Sequence, residues 1–583
     1  MQSTLTTVHP LPIDNTSVLY RSDKKLKILF YHCSGFTNTA WLYTTVLQFK
    51  TYIDLLYPDL AEQLEWVLPI QQEISDDELV QYIEQNKIDI LCTSHYVWNH
   101  DFLINQLCRI KDRLSHQKII AGGPSINVNV NQEFFNQYPY IDYAVYGVGE
   151  QAFADIVNHL VVGTPLIAFN TSNCAWQNHK TGKTIVADYK FVKMLETSPF
   201  LHNKDLFSAM VDDAQKKNQT VWLIYTLTRG CPYACTFCDW NNGFGNKVSR
   251  RKNTYQQEID LFQKCNIKHV FLADANVGQY DEDVEMIEYF AKKNLNENTN
   301  FHVGGNFSKL KKENNLKIFH TMAQGRLVNK TFNFSVQDID QEVLKNINRP
   351  DVGWDVHLAM IQELRNSYAN LVPKVQLIYG LPGQTLNGWK TTLQTVTEKN
   401  IMPVIFLNEP LPASPAMTDP EYQRRFQFEY AYSKRISWNK KYLSYIPKKS
   451  SSFDQPDLVE MTIVSGAYWA ISLINLTLIE NCLTTLNVAD VMLDFTESTY
   501  YQNLYQNLYK NWTIENNFYF TNGISQENIE IADDRLMTYL MCNSVFFKYL
   551  LKFIPSYDRI KFVKLSIEST FKNYMYTVSS DID

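Results

Sequence analysis

The chain has little charge for its size. Only 20% of its 583 residues are charged, against 45% hydrophobic, a balance that excludes a disordered polypeptide and leaves apolar mass for several cores. It has no basic surplus either: 54 Lys and Arg face 61 Asp and Glu, a formal net charge of −7. A general nucleic-acid binder would carry a basic stripe, so that class is not expected. Met1 to Arg21 lacks a basic start followed by an apolar core, so no secretory signal is read there. Cysteine is sparse, 10 in all, with three packed into one short motif. That is not a secreted disulfide framework, and a reducing cytoplasm is the consistent address. Long apolar runs are scarce. One uncharged stretch, Met461 to Ile479, nears membrane-spanning length, but it contains Thr462, Ser465, Gly466, Ser472, Asn475 and Thr477 and lacks a positive flank. A buried core helix is expected there, not a membrane span.

What the sequence does have is the stretch Thr228 to Trp240, which sets Cys231, Cys235 and Cys238 in a C-x3-C-x2-C spacing directly after the apolar run Val221 to Leu227. Three thiolates this close can hold a cubane iron–sulfur cluster and leave its fourth iron without a protein ligand. An open metal position suits catalysis, whereas structural sites are closed. A zinc knot would show two C-x2-C halves or a Cys/His quartet, and no second half lies nearby. The motif, with Phe237 just before its last cysteine, resembles the signature of the radical S-adenosylmethionine (radical SAM) enzymes. The resemblance implies that Cys231, Cys235 and Cys238 hold a [4Fe-4S] cluster whose open iron is chelated by the amine and carboxylate of SAM. It also implies one-electron cleavage of SAM to a 5′-deoxyadenosyl radical, and an electron donor such as a flavodoxin or ferredoxin.

In chain order, Lys27 to Tyr31, Leu64 to Pro69, Ile88 to Ser94, Lys118 to Ala121 and Ile141 to Tyr146 read as short apolar strands between amphipathic helices, one of them from Trp41 to Leu56. This rhythm predicts an open, mostly parallel α/β sheet with ligands at the carboxyl ends of its strands. The units ending in Gly122-Gly123-Pro124 and Gly147-Val148-Gly149-Glu150 resemble the cobalamin-binding domain that precedes the radical SAM domain in one subclass. That resemblance implies a cobalamin-type site at Ser94, Tyr96, Gly122, Gly123, Gly147 and Glu150. The Asp-x-His-x-x-Gly loop of domains that ligate cobalt through histidine is absent, and His32 lacks the rest of that pattern. A domain that has kept the fold and lost the cofactor, or glycines that only make turns, fits equally.

From 162 to 218 periodicity fades, and a connection is expected. Residues 219 to 418 then repeat a strand–helix rhythm through six strands beginning near Val221, His269, Asn300, Thr331, Lys374 and Pro403. Six such units predict a partial (β/α)6 barrel with its active site at the strands' carboxyl ends. Resemblance to the family's strand-end blocks assigns Asp274 and Asn276, Ser335 and Gln337, Arg349, and Gly380, Pro382 and Gly383 to the SAM site, with Phe237. Asp338 stands where serine is frequent, and Gln384 where glutamate is. Arg349 is placed either against a carboxylate or on the surface after a helix, and Glu409 and the run to Pro415 are read as facing substrate.

The whole is therefore expected as an α/β protein. Residues 1–161 form a Rossmann-like cobalamin-binding-type domain, 162–218 a linker, 219–418 the radical SAM barrel, and 419–583 a mostly helical cap including Tyr422 to Tyr442. The function expected is cobalamin-dependent C-methylation of a peptide or other natural product. The alternative is cobalamin-independent hydrogen abstraction such as peptide epimerisation, with Cys265, Cys482 or Cys542 as candidate hydrogen donors or as buried small hydrophobes.

Overall fold

A computed structural model shows an α/β chain that divides into two compact units. It describes residue 502 and residues 25–480, apart from 34–38, 127–129, 164–165, 167–170, 179–180, 241–245, 253, 329–330, 369–371 and 438–439.

The first unit draws on residues up to 33, 44–96 and 102–207. Its strands Leu26–Tyr31, Leu64–Trp66, Ile90–Ser94, Lys118–Gly122 and Tyr143–Val145 run parallel, with the second lying outside the first and the rest following in order on the other side. Every residue of Ile90–Ser94 is buried, as expected of a parallel strand covered on both faces. One apolar layer is built on Leu29, Leu91, Leu103 and Leu107, another on Ala121, Phe135, Ala144 and Tyr146. The helix Asp76–Asn86 opens with a capping box, in which Ser75 and Glu78 each accept the other's backbone N–H. Strand order reverses between Leu26–Tyr31 and Ile90–Ser94, which makes their carboxyl ends the switch point where such sheets bind ligands.

Within the stretch read as a connection, 162–218, the described residues include regular elements. Cys174–Gln177 and Thr184–Val186 add an antiparallel hairpin to the sheet, and Lys204–Lys216 is a helix. Strands of four and three residues are too short to reveal a period in sequence.

In the second unit the expected six strands are Thr220–Tyr225, His269–Val277, His302–Phe307, Thr331–Gln337, Val372–Tyr379 and Met402–Leu407. The first three and the last three form two parallel ladders. A seventh strand, Thr39–Leu42, pairs parallel with the first, where a helix starting at Trp41 was expected. The helix begins only at Thr45. Trp41 instead stacks on Trp222 at 5.2 Å and meets Phe271 edge-on at 6.1 Å, an aromatic cross-strand ladder of the kind that stabilises sheets.

Two expectations beyond the barrel are resolved differently. Tyr422 to Tyr442 is not one helix: Pro420–Phe426 is helical, and Glu429–Ser437 pairs antiparallel with Lys440–Lys449. Aromatic residues at alternate positions, Phe428, Tyr430 and Tyr432, have strand period. The uncharged stretch is a helix, Gln455–Glu480, and it packs on the barrel. Ser465 Oγ accepts the indole N–H of fully buried Trp389 at 2.9 Å and donates to the Met461 carbonyl. Among the described residues no helix is long and apolar enough to cross a membrane. Most of the expected cap beyond residue 480, with Cys482 and Cys542, lies outside the described residues.

Candidate active site

The cysteine motif sits where a tight reversal puts it. Beyond the first barrel strand, Thr228–Gly230 pairs antiparallel with Val248–Arg250, so the loop carrying all three cysteines starts from a pinned base. Gly230 has φ +84°, and a Cβ there would lie 2.2 Å from the Lys247 carbonyl oxygen; only glycine fits. Two buried ion pairs hold the returning strand, Arg250 with Asp283 at 2.7 Å and Arg251 with Glu258 at 2.8 Å.

Cys231 and Cys235 are buried and Cys238 half-buried, all as free thiols. The loop is tied across the barrel. Thr236 N–H donates to the Ile347 carbonyl at 2.9 Å, Asn348 Nδ2 to the Ala234 carbonyl at 3.0 Å, and Ala416 N–H to the Thr236 carbonyl at 2.8 Å. Phe237 packs against Val343, Leu344, Ile347, Ile378 and Leu381. The motif's aromatic residue is thus an anchor between the cysteine loop and the ends of the fourth and fifth strands. Burial pushes the Cys238 thiol up to about 11, a proton that metal binding displaces. Among the described residues no three His, Cys, Asp or Glu are set to hold a single metal ion; in a cubane each thiolate takes its own iron.

The strand-end residues gather around this loop. Asn276 Nδ2 donates to Cys231 Sγ at 3.2 Å, while its Oδ1 is buried without a partner among the described residues. Asp274 accepts the Leu227 N–H at 2.8 Å, and burial above all pushes its carboxyl up to about 6. Asp274 therefore braces the first strand's end, a duty invisible in sequence. Arg349 is buried, not on the surface: its guanidinium donates to the Ser335 carbonyl, and its Nε has no partner among the described residues. Ser335 Oγ donates to Gln376 Oε1 at 2.5 Å. Gln337, at a bulge in the fourth strand, has φ +74°, a strained conformation of the sort concentrated at functional sites. Asn408, after the sixth strand, donates through Nδ2 to the Gly380 carbonyl at 3.0 Å, and its Oδ1 is a third buried polar atom without a partner among the described residues. Such atoms cost about 1–3 kcal/mol each when left unmade, so three at one end of a barrel fit a polar ligand. Glu409 is half-buried.

The turn Gly380 to Gly383 is held by the next residue. Gln384 Oε1 accepts the N–H groups of Gly380 at 2.7 Å and Leu381 at 3.3 Å, and its Nε2 donates to Asp338 Oδ2 at 2.5 Å. Asn346 Nδ2 donates to the Pro382 carbonyl at 3.3 Å. The two departures from the family pattern, Asp338 and Gln384, are one contact. Asp338 also accepts from Thr392 and from the Asp340 N–H, and burial raises its carboxyl to about 6.

In the first unit, the candidate residues line the carboxyl edge of the sheet. His95 N–H donates to the Gly122 carbonyl at 2.7 Å, and Ser125 N–H to the His95 carbonyl at 3.0 Å, so the loops after the third and fourth strands interlock at Gly123. Tyr96 is hydrogen-bonded to Ser94, and burial raises its hydroxyl's pKa. Glu150 is buried at the start of the helix Glu150–Val162. Gly147, at φ +63°, faces the ring of Tyr189, which would lie 2.3 Å from a Cβ. That glycine makes room for the chain's own tyrosine. His32 is fully buried, stacked 6.1 Å from Phe30, and burial pushes it down to about 4.

Residues the sequence reading passed over include Lys309, Tyr233 and Gln279. Lys309 follows the third strand by two residues and lies 3.6 Å from Cys235 Sγ. A cation just past a barrel strand's carboxyl end was the available signal. Cys265 caps the helix Tyr255–Lys264 ahead of the second strand, beside Ser208 at 3.5 Å. It is therefore at the strands' amino end, away from the cysteine loop.

Residues 225–396 match the radical SAM superfamily. The chain is similar to the cobalamin-dependent radical SAM methyltransferase TokK of Streptomyces tokunonensis, with 25% identity over 343 residues, 58% of this chain and 48% of that one. It is similar too to the 2-(S-pantetheinyl)-carbapenam-3-carboxylate methyltransferase of Streptantibioticus cattleyicolor, at 26% over 317 residues, 53% of this chain and 45% of that one. The chain thus spans about half the length of these curated relatives. Its fold is shared with the cobalamin-dependent SAM radical enzyme OxsB, solved with aqua-cobalamin and SAM, at a TM-score of 0.59 and 14% identity over 95% of this chain and 84% of that one.

Proposed function

We propose that this chain, a radical SAM protein by its domain at 225–396, is a cobalamin-dependent methyltransferase acting on a carbon of a peptide or other natural product. When bound, a [4Fe-4S] cluster and SAM supply the 5′-deoxyadenosyl radical and cobalamin the methyl group. The observation that carries the reading is the joining, in one chain, of a three-thiol loop at a barrel's strand ends to a parallel sheet with a switch point. The Streptomyces tokunonensis relative is named for the same cofactors and reaction, and the OxsB structure for the same two cofactors, cobalamin and SAM.

In this reading Cys231, Cys235 and Cys238 would hold the cluster. Asn276 Oδ1, Arg349 Nε and Asn408 Oδ1, buried and unpartnered among the described residues, would recognise the zwitterionic nucleoside together with the Gly380 to Gly383 turn. Ser94, Tyr96, Gly122 and Gly123 border the cobalamin side, with Gly147 and Glu150 as framework. Residues 1–161 serve as the cobalamin domain, 219–418 as the catalytic barrel, and those beyond 418 shape substrate access. The carbapenam relative favours a small natural product of this general kind. A flavodoxin or ferredoxin in the cytoplasm supplies electrons. Cys265, at the amino end of the barrel, is badly placed to return a hydrogen atom to a substrate radical, which weighs against epimerisation through that thiol.

Anaerobic reconstitution with iron, sulfide and cobalamin tests this. The chain is expected to retain cluster and cobalamin stoichiometrically and to release 5′-deoxyadenosine from SAM under reduction, and a Cys231→Ala variant to do neither with cluster nor SAM. SAM cleavage without retained cobalamin overturns methyl transfer; retention of neither overturns the whole reading.

A further inference from the structure

Among the described residues, each cysteine of the loop receives a hydrogen-bond donor from the chain. Asn276 Nδ2 reaches Cys231 Sγ at 3.2 Å, Lys309 Nζ reaches Cys235 Sγ at 3.6 Å, and the Trp240 N–H reaches Cys238 Sγ at 3.4 Å. Two of these donors are neutral, and Lys309 brings a positive charge. Its ammonium also sits 4.6 Å from the ring centroid of Tyr233, inside the cysteine loop. The Tyr233 hydroxyl donates to Gln279 Oε1 at 3.3 Å, and Ser308 Oγ donates to the same oxygen at 3.2 Å. Tyr233 follows the first strand, Gln279 the second, and Ser308 and Lys309 the third, so the cation is fixed by three strand ends together.

We infer that Lys309 is a tuning residue, a charged donor to Cys235 that raises the reduction potential of the cluster and so eases its loading with an electron. The inference rests on the cluster reading of Cys231, Cys235 and Cys238. Hydrogen bonds to the sulfurs and local net charge set cluster potentials, and groups behind the ligands tune a metal site as the ligands do. Reduction adds one negative charge to a unit already bearing thiolates. A cation held at the sulfur favours that reduced state more than the oxidised one. If Lys309 were only laid over Tyr233 for packing, its removal would leave the potential alone.

The test uses full-length protein, reconstituted anaerobically and titrated with a reductant while the reduced cluster is followed by electron paramagnetic resonance, without SAM. At a fixed solution potential, Lys309→Met is expected to lower the ratio of reduced to oxidised cluster about tenfold, equivalent to about 59 mV for a one-electron couple. Lys309→Gln, which keeps a donor but loses the charge, is expected to fall between. Iron and sulfide content should match the wild type. A Lys309→Met midpoint equal to wild type, at equal cluster content, overturns the inference and leaves the radical SAM reading standing. If Lys309→Met does not retain its cluster, Lys309→Gln decides: a lowered midpoint supports the inference and an unchanged one overturns it. A wild-type chain that assembles no cluster overturns the reading and the inference with it.

Discussion

Exchanging Gln384 for glutamate isolates the contact that holds the turn between the fifth strand and the next helix. Gln384 gives its amide N–H to Asp338 at 2.5 Å and takes the N–H groups of Gly380 and Leu381 on its oxygen. In Gln384→Glu the oxygen still serves the turn, but a second carboxyl meets a buried carboxylate, and the two cannot both ionise. The pair must keep one proton. Holding it at pH 7.5 against an unfolded glutamate pKa of about 4.3 costs roughly 4 kcal/mol at about 1.36 kcal/mol per unit, less whatever a strong carboxyl–carboxylate hydrogen bond returns. A net loss of about 2–4 kcal/mol follows on those terms. The folded pair has a raised pKa, so its contribution is present at low pH and lost as pH rises; the deficit should shrink steadily from pH 7.5 toward pH 5. Adding Asp338→Ser removes the second carboxylate and supplies a hydroxyl donor, restoring stability to within about 1 kcal/mol, a coupling of order 2–3 kcal/mol between touching residues. Calorimetric melting of the four proteins across that pH range measures the cycle, with the melting temperatures compared directly because two units need not unfold together. A single variant as stable as wild type at pH 7.5, or a double variant as damaged as the single, would refute the pairing.

Gly230→Ala should drive a Cβ into the Lys247 carbonyl at 2.2 Å and displace Cys231; iron retained after reconstitution is expected to fall several-fold, and wild-type iron content would count against the pinned loop. Asp274, raised by burial to about 6, contributes stability that is complete below about pH 3.9 and lost as pH rises through about 6. Asp274→Asn should therefore flatten the decline of melting temperature between pH 4.5 and 7, and an unchanged slope would show that the carboxyl is not ionising there. In the first unit, Gly147→Ala is expected to cost about 1–3 kcal/mol through backbone strain and contact with Tyr189. Tyr189→Ala in the same chain relieves the contact but not the strain, so recovery should be partial; full recovery or none would contradict the split.

The barrel was legible in sequence because most of its strands are largely apolar runs that end in a polar or glycine-rich block, as at Leu272 to Gly278 and Leu377 to Gln384. Repetition of that pattern carries the inference even where individual boundaries slip by two residues. Thr39–Leu42 was not legible. Four residues carry no period, and Trp41 has the same apolar signature whether it opens a helix or ladders onto Trp222; only a parallel partner 181 residues downstream decides it. The hairpin Glu429–Ser437 with Lys440–Lys449 was misread for a related reason: its tyrosines suit either period until a cross-strand partner selects one.

The candidate site divides along the same physical line. Residue type and spacing identify what can bind iron, because three thiols in eight residues have few other uses. They do not separate residues that meet a ligand from residues that hold the frame. Gly147 and Asp274 were both read as ligand-facing, and the structure gives each a framework duty as well: Gly147 admits Tyr189 and Asp274 secures the Leu227 N–H. Lys309 drew no attention, since one lysine beyond a strand is ordinary in sequence, and its meaning arises only from standing at a cysteine sulfur. The reciprocal exchange at Asp338 and Gln384 makes the point most sharply. Taken singly, each departure weakens the match to the family; taken as a hydrogen-bonded pair, they keep one carboxyl and one donor at the same junction with the roles reversed. A departure from a motif therefore counts against function only after its neighbours in space, and not merely in sequence, have been examined for the compensating change.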